Sequence, residues 1–381
     1  VLDQENLPLA GIRVVEFSHM VMGPSVGVIL ADLGADVIKV EPEGGDQTRK
    51  LLGSGAGYFP MFNRNKRSIC LDLKSERGLR IARKLVARSD ILIENFRPGT
   101  LAKLGLGYAA LSADNPRLIY CSAKGFLKGP YEQRTALDEV TQMMGGLAYM
   151  TGPPGRPLRA GSSVVDITGG MFGVIGILAA LERRHRTGKG AEVKCALYET
   201  TAFLVGQHMA QMAVTGKAAQ PMPVRVSAWA IYDVFETARE GEQLFVGVVS
   251  DGQWKAFCAA FDLAALGGNP DYALNNQRVE ARDAILPQVR ALFASMARED
   301  LVAKLEALGL PFAPIARPDE LFDDPHLVQS GGLVEVSISA DRKTFLPGLP
   351  LEIDGERMAL RRDIPAINGD LAAVLAEVGE A

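Results

Sequence analysis

One carboxylate stands out by its surroundings. Asp166 closes the β-branched run Ser163-Val164-Val165, Thr168-Gly169-Gly170 follow, and an apolar helical pattern continues to Leu181-Glu182-Arg183-Arg184. The order predicts a strand or loop end, then the carboxylate, then a helix N-terminus. An anion placed there feels the positive end of the helix dipole and the unpaired N–H groups of the first turn, which favours its ionised form. Gly169 and Gly170 would let a ligand or another backbone come close. Two roles fit Asp166: a cap for the helix, or a carboxylate nucleophile in covalent catalysis. A second acid, Asp138, opens another apolar helical pattern over residues 140–150.

Other residues could bind rather than react. His19 follows the first predicted strand, where it would make a structural hydrogen bond or touch substrate. Lys74, Arg97, Lys103 and Arg134 suit phosphate groups, although each also reads as an ordinary surface charge. The basic cluster at residues 63–68 (NRNKRS) fits a solvated turn or an anion site equally. No HxxxH, HExxH or CxxC spacing occurs, so no metal site is expected. The four cysteines (Cys70, Cys121, Cys195, Cys258) are widely spaced and read as buried free thiols of a reducing, cytoplasmic setting.

Composition narrows the classes. The 381 residues are 48% hydrophobic and 23% charged, enough for about two domains with real cores. A net charge of −4 gives no basic footprint for nucleic acid. The longest apolar run, residues 169–181, has 13 residues. A spanning helix needs about 20, so no membrane span is expected. No signal-peptide pattern is visible at the start.

The elements that must position these side chains follow from periodicity. Residues 9–17 read as a buried strand, 25–33 as a helix stopped by Gly34, and 35–41 as a second strand: a βαβ unit of a parallel sheet. Further strands are predicted near 69–73, 90–96, 118–121 and 192–197, with helices at 75–88 (capped by Ser75), 100–104 and 199–214. No GxGxxG follows the first strand, which removes the usual dinucleotide fingerprint and weakens an NAD-dependent dehydrogenase reading. Composition shifts near Gly216. The predicted organisation is an α/β protein with a Rossmann-like large domain in residues 1–216, a linker and small α+β domain in 217–328, and a C-terminal segment, 329–381, returning to the large domain.

Five ordered motifs then carry a resemblance: LAGIRVVEFSHMVMGP (9–24), LGADVIKVE (33–41), NRNKRSICLDLK (63–74), ENFRPG (94–99) and GILAALERRHRTGKG (176–190). The chain resembles, over essentially its whole length, the class III CoA transferases of the formyl-CoA and carnitine CoA-transferase type. The resemblance implies an interlocked homodimer, CoA and acyl-CoA as substrates with no tightly bound cofactor, and a covalent aspartyl-CoA intermediate. It places the nucleophile on Asp166 and an assisting acid on Asp138. The CoA contacts fall on Val21 and Met22, on Leu71, Asp72, Leu73 and Lys74, on Asn95, Phe96 and Arg97, and on Lys103, with Arg134 a further phosphate candidate. Substrate contacts are assigned to His19, Gly169 and Gly170, the glycines as oxyanion donors, and to Arg225 as a partner for the second carboxylate of a dicarboxylate such as succinate. The chain departs from some members at Val21 and Pro42, where they carry Gln and Arg, and it lacks a glycine run near residues 225–229.

Two rivals stand beside this reading: an acyl-CoA racemase of the same fold, and a CoA-binding protein without transferase activity. Racemases pair an acid and a base, with a His just before the position of Asp138. Leu137 stands there and has no proton to exchange.

Overall fold

The strand Arg13–Phe17 (β1) is buried on both faces, which suits the middle of a sheet covered on each side. In the computed structural model, which describes residues 6–380, β1 is central in a six-stranded parallel sheet. Its neighbours are β2 (Asp36–Glu41), β3 (Lys66–Cys70), β4 (Ile91–Glu94), β5 (Ile119–Lys124) and β6 (Ala191–Ala196). The order β3-β2-β1-β4-β5-β6 reverses direction between β1 and β4, the arrangement of doubly wound sheets.

Strand alternation builds two cores. Val14, Val37, Ile91, Ile93 and Cys121 pack under α1 (Met22–Asp32), with the later helix of the β5–β6 crossover on the same face. Val15, Phe17, Ile38, Leu92 and Tyr120 pack on the opposite face against α2 (Glu76–Ala87). Ser75 starts α2, its Oγ accepting the Gly78 N–H at 3.0 Å. The predicted helix over 140–150 is two pieces, α3 (Asp138–Met144) and Leu147–Thr151, parted where Gly146 takes φ +85°. The helix carrying Asp166 is α4, Val164–Thr187. Its 24 residues exceed the 13-residue apolar run, and by length and composition alone it could cross a membrane. Here it packs on β5, β6 and α1.

That packing corrects the expectation for Gly169 and Gly170. They lie inside α4, so their N–H groups belong to the helix, and they face α1. A Cβ would sit 2.7 Å from Met22 Cε at Gly169 and 2.7 Å from Ser25 Cβ at Gly170. They permit close helix packing and are not oxyanion donors.

Residues 63–68 are neither a solvated turn nor an anion site; all six are buried. Arg64 pairs with Asp32 at 2.6 Å, Lys66 with Glu16 at 2.8 Å, and Arg67 with Glu377 at 2.6 Å and Asp36 at 3.1 Å. The counter-ions come from other elements. The edge of β3 is covered by the chain's last segment: Ser68 N donates to Asp370 Oδ2 at 2.9 Å, and Cys70 N donates to Asn368 Oδ1 at 2.7 Å. The helix Leu371–Val378 (α5) follows, burying Val374 and Val378 in the core beside α2.

By contact, the chain up to Pro223 and from Pro325 onward forms one unit, and Val224–Asp324 forms a second. The second holds an antiparallel sheet of Tyr232–Glu236 (β7), Gln243–Gly247 (β8) and Phe312–Pro314 (β9). Its core gathers Phe235, Trp254, Phe257 and Phe293.

Candidate active site

Because β1 and β4 are neighbours whose connections leave in opposite directions, their C-terminal ends frame a crevice, the usual ligand position in such sheets. The two loops are tied together. His19 N donates to Asn95 Oδ1 at 3.1 Å, and Asn95 Nδ2 donates to the His19 carbonyl at 2.7 Å. The His19 and Phe96 rings lie 5.7 Å apart. Desolvation by the surrounding chain pushes the His19 pKa down, against the attraction of Asp46.

A buried ionic cluster supports this loop from below. Glu16 accepts from Lys39 at 3.3 Å and meets Lys66 at 2.8 Å; Lys39 also reaches Asp46 at 3.1 Å. A Cβ at Gly27 would overlap Glu16 Oε2, so α1 crosses directly over the cluster. Lys39 Nζ donates to the Ser18 carbonyl at 2.7 Å, and Met20 N donates to Thr48 Oγ1 at 3.0 Å. Met20 is thereby held at φ +64°. Burial pulls the Lys66 pKa down to about 8, with Glu16 opposing.

Asp138 and Asp166 meet at the head of α4. The N-cap position is Ser163, whose side chain makes no cap bond, and Asp166 is the third helical residue, so Asp166 is neither at a strand end nor the cap. The capping carboxylate is Asp138, from a different helix. Its Oδ2 accepts the N–H groups of Val165 at 2.9 Å and Asp166 at 3.1 Å. Its Oδ1 accepts from Gln142 at 2.6 Å and Arg159 at 3.4 Å. Gln142, fully buried, also accepts the Ala160 N–H at 2.9 Å and so holds the approach to α4.

The electrostatic consequence reverses the expectation for Asp166. Asp138 takes first-turn donors that would have stabilised a charge on Asp166. Burial, then the Asp138 charge, push the Asp166 pKa up to about 7, and Arg159 opposes them. Among the described residues, no side chain or backbone donor bonds the Asp166 carboxylate, which faces a cleft of about 220 Å³. Two carboxylates thus share one site with opposed environments, a common way to divide roles between acids.

The same cleft is lined by His19, Val21, Met22, Asn95, Asp138 and Asp166. Arg97 and Lys103 line a neighbouring cavity of about 530 Å³, and Lys124 borders both. Leu71 and Asp72 line a separate hollow of about 480 Å³ beside α2 and α5, Leu73 packs on the core, and Lys74 is exposed. Arg134 is exposed over the Tyr131 ring, 5.0 Å from its centre. Arg225 belongs to the second unit. Sequence reasoning missed Arg159, Lys124, Tyr58 and Ser163, all lining the cleft. It also missed Gln142, although the four-residue spacing from Asp138 was a legible helical pairing signal. Among the described residues, no group of three or more His, Cys, Asp or Glu side chains could hold a metal ion.

A model described as CoA-transferase family III matches residues 9–371. The chain is 37% identical to a succinate–glutarate CoA-transferase of Agrobacterium fabrum, over 97% of this chain and 96% of that one. It is 34% identical to an acetyl-CoA:oxalate CoA-transferase of Acetobacter aceti, over 94% and 96%. The crystal structure of a CaiB/BaiF family protein from Brucella suis superposes with a TM-score of 0.85 at 34% identity, covering 98% of this chain and all of that one.

Proposed function

This chain belongs to CoA-transferase family III, and we propose that it moves CoA from an acyl-CoA to a free carboxylic acid through a covalent intermediate on Asp166. The observation that carries the residue assignment is the contrast at the head of α4: Asp138 is saturated with donors, whereas Asp166 presents a bare carboxylate to the cleft. A carboxylate stripped of hydrogen bonds is a stronger nucleophile than a solvated one, and a pKa of about 7 leaves it ionised in a large fraction of molecules at neutral pH.

In the proposed sequence an Asp166 oxygen attacks the thioester carbonyl, the C–S bond breaks, and a mixed anhydride and CoA thiolate result. The thiolate attacks the Asp166 carbonyl carbon and releases the donor acid, leaving an aspartyl-CoA thioester. The acceptor carboxylate attacks that thioester, and the same steps in reverse yield the new acyl-CoA and free Asp166. Exclusion of water protects the anhydride. CoA and acyl-CoA serve as substrates, with no tightly bound cofactor. Val21, Met22 and Asn95 in the cleft, with Phe96 beside His19, would hold the reactive end of CoA, and Arg97, Lys103 and Lys124 in the adjoining cavity suit its phosphates. The relatives named for glutarate, succinate and oxalate support short dicarboxylic acids as the exchanged acids.

An interlocked homodimer in the cytoplasm belongs to the same reading. Support comes from exposed apolar side chains along α4 and the helices after β6, among them Met171, Ile175, Leu178, Phe203 and Met209, and from four free cysteines, three of them buried. Leu137 lines the cleft beside Asp138, where a racemase would need an acid–base group.

Incubation with a panel of acyl-CoAs beginning with succinyl-CoA, followed by hydroxylamine and peptide mass spectrometry, tests the reading. A hydroxamate on Asp166 is expected with the true donor. CoA transfer with the hydroxamate on another residue would overturn the assignment, and exchange of the α-proton in deuterated water without transfer would install the racemase in its place.

A further inference from the structure

A second cavity of about 500 Å³ adjoins the Asp166 cleft. Tyr58, Arg159 and Ser163 line both, so they form a shared wall. Beyond it the lining is mixed, with Met61, Phe62 and Ile167 beside Ser54 and Ser162. The one cation that lines it among the described residues, Arg159, stands on the shared wall, facing the Asp166 cleft as well.

Arg159 is partly committed. Its Nε donates to the Ala160 carbonyl at 3.2 Å, and Nη2 donates to the Ser162 carbonyl at 3.1 Å and to Asp138 Oδ1 at 3.4 Å. Nη1 lies 3.8 Å from Glu139 Oε2, beyond hydrogen-bond range, and no hydrogen bond to Nη1 occurs among the described residues. The guanidinium is therefore oriented by its own loop while one nitrogen keeps its donors free. The charge balance changes during the proposed reaction. Asp138 is already answered by two amides and Gln142, and Asp166, once esterified, carries no charge. When the acceptor arrives, Arg159 keeps Asp138 and the half-exposed Glu139 as distant counter-ions, and its Nη1 still has hydrogen-bond donors to offer a carboxylate.

We propose that Arg159, on the wall shared by the two cavities, binds the far carboxylate of a short dicarboxylic acid whose near carboxylate stands at Asp166. The inference rests on the CoA-transfer reading and makes Arg159 the residue that selects dicarboxylates. A monocarboxylic acid of equal length would place a methyl group against the guanidinium and forgo the charge-assisted bonds.

The test compares glutarate with valerate, acids of equal carbon number, as acceptors from one fixed acyl-CoA donor. In Arg159→Gln the ratio of kcat/KM for glutarate to that for valerate should fall at least tenfold, with Arg159→Lys between. Any effect on Asp138 or Asp166 acts on both acceptors and cancels in the ratio. An unchanged ratio overturns the proposal, as does a selective loss in Arg225→Ala but not in Arg159→Gln. Phenylglyoxal modification of Arg159, mapped by mass spectrometry, supplies a readout independent of turnover. Protection by glutarate and not by valerate is expected, and equal protection overturns the subsite. Should the wild-type protein transfer CoA to neither acid, the functional reading fails, while the protection experiment still decides the subsite.

Discussion

Two buried sets of charges lie close in the fold and are built on opposite terms. Under the β1 loop, Glu16 is held between Lys39 and Lys66, and Asp46 answers Lys39 from the other side. At the head of α4, Asp138 collects four donors while, among the described residues, none bonds the Asp166 carboxylate. The first arrangement fixes geometry: its bonds end on the Ser18 carbonyl and, through Thr48, on the Met20 amide. The second leaves one carboxylate uncompensated beside an open cleft. Buried charge alone therefore does not mark reactivity. What distinguishes the proposed nucleophile is the missing partner, and a neighbouring acid has taken the first-turn donors.

Removing the bare carboxylate should have the largest effect. Asp166→Asn should lower CoA transfer by about 10⁴-fold or more, as loss of a covalent nucleophile does. Turnover within tenfold of wild type would end the comparison. In the structural cluster the loss should appear as stability. Glu16→Gln leaves Lys39 and Lys66 buried without their shared anion and should cost about 3–5 kcal/mol; an unchanged Tm would show that the cluster tolerates the loss of its central charge.

The same Asp166→Asn variant should be more stable than wild type at pH 8. The folded-state pKa of about 7 lies above the unfolded value, so between roughly pH 4 and 7 the folded protein holds the extra proton. Wild-type stability falls as pH rises through that window, and Asn removes the penalty. The Tm difference should grow from near zero at pH 4 to a plateau above pH 8; a gap independent of pH would contradict it. The smallest expected effect belongs to Asp138→Asn, which retains an acceptor for the α4 amides but loses the charge. The pH midpoint of Asp166 hydroxamate formation should fall by about one unit, and a midpoint that stays or rises would remove Asp138 from the electrostatics of the site.

The parallel sheet was legible because its signals are local. The apolar clusters in residues 14–17 and 36–41, the stop at Gly34 and the Ser75 cap all act within a few positions. The ordered motifs likewise led to Asp166 and Asp138. The misreadings share one cause. Ser163-Val164-Val165 looked like a strand because β-branched residues favour one, yet Asp138 caps these residues into a helix from 27 and 28 positions away. Residues 63–68 fitted a solvated turn or an anion site because their counter-ions, Asp32, Asp36, Glu16 and Glu377, come from elsewhere in the chain. Gly169 and Gly170 were open to a ligand or another backbone; the approach they permit is that of α1, and the oxyanion role assigned to them falls. Arg159, in a loop without periodicity, gave no sequence signal.

The seal on β3 governs when the first unit can finish folding. Asn368 and Asp370 bond a strand that precedes them by about 300 positions. On the ribosome, that edge stays unprotected while the intervening chain, including the whole second unit, is synthesised. Nascent molecules stalled before residue 368 should therefore carry an adhesive border and call on chaperones, whereas those released with the closing segment should not.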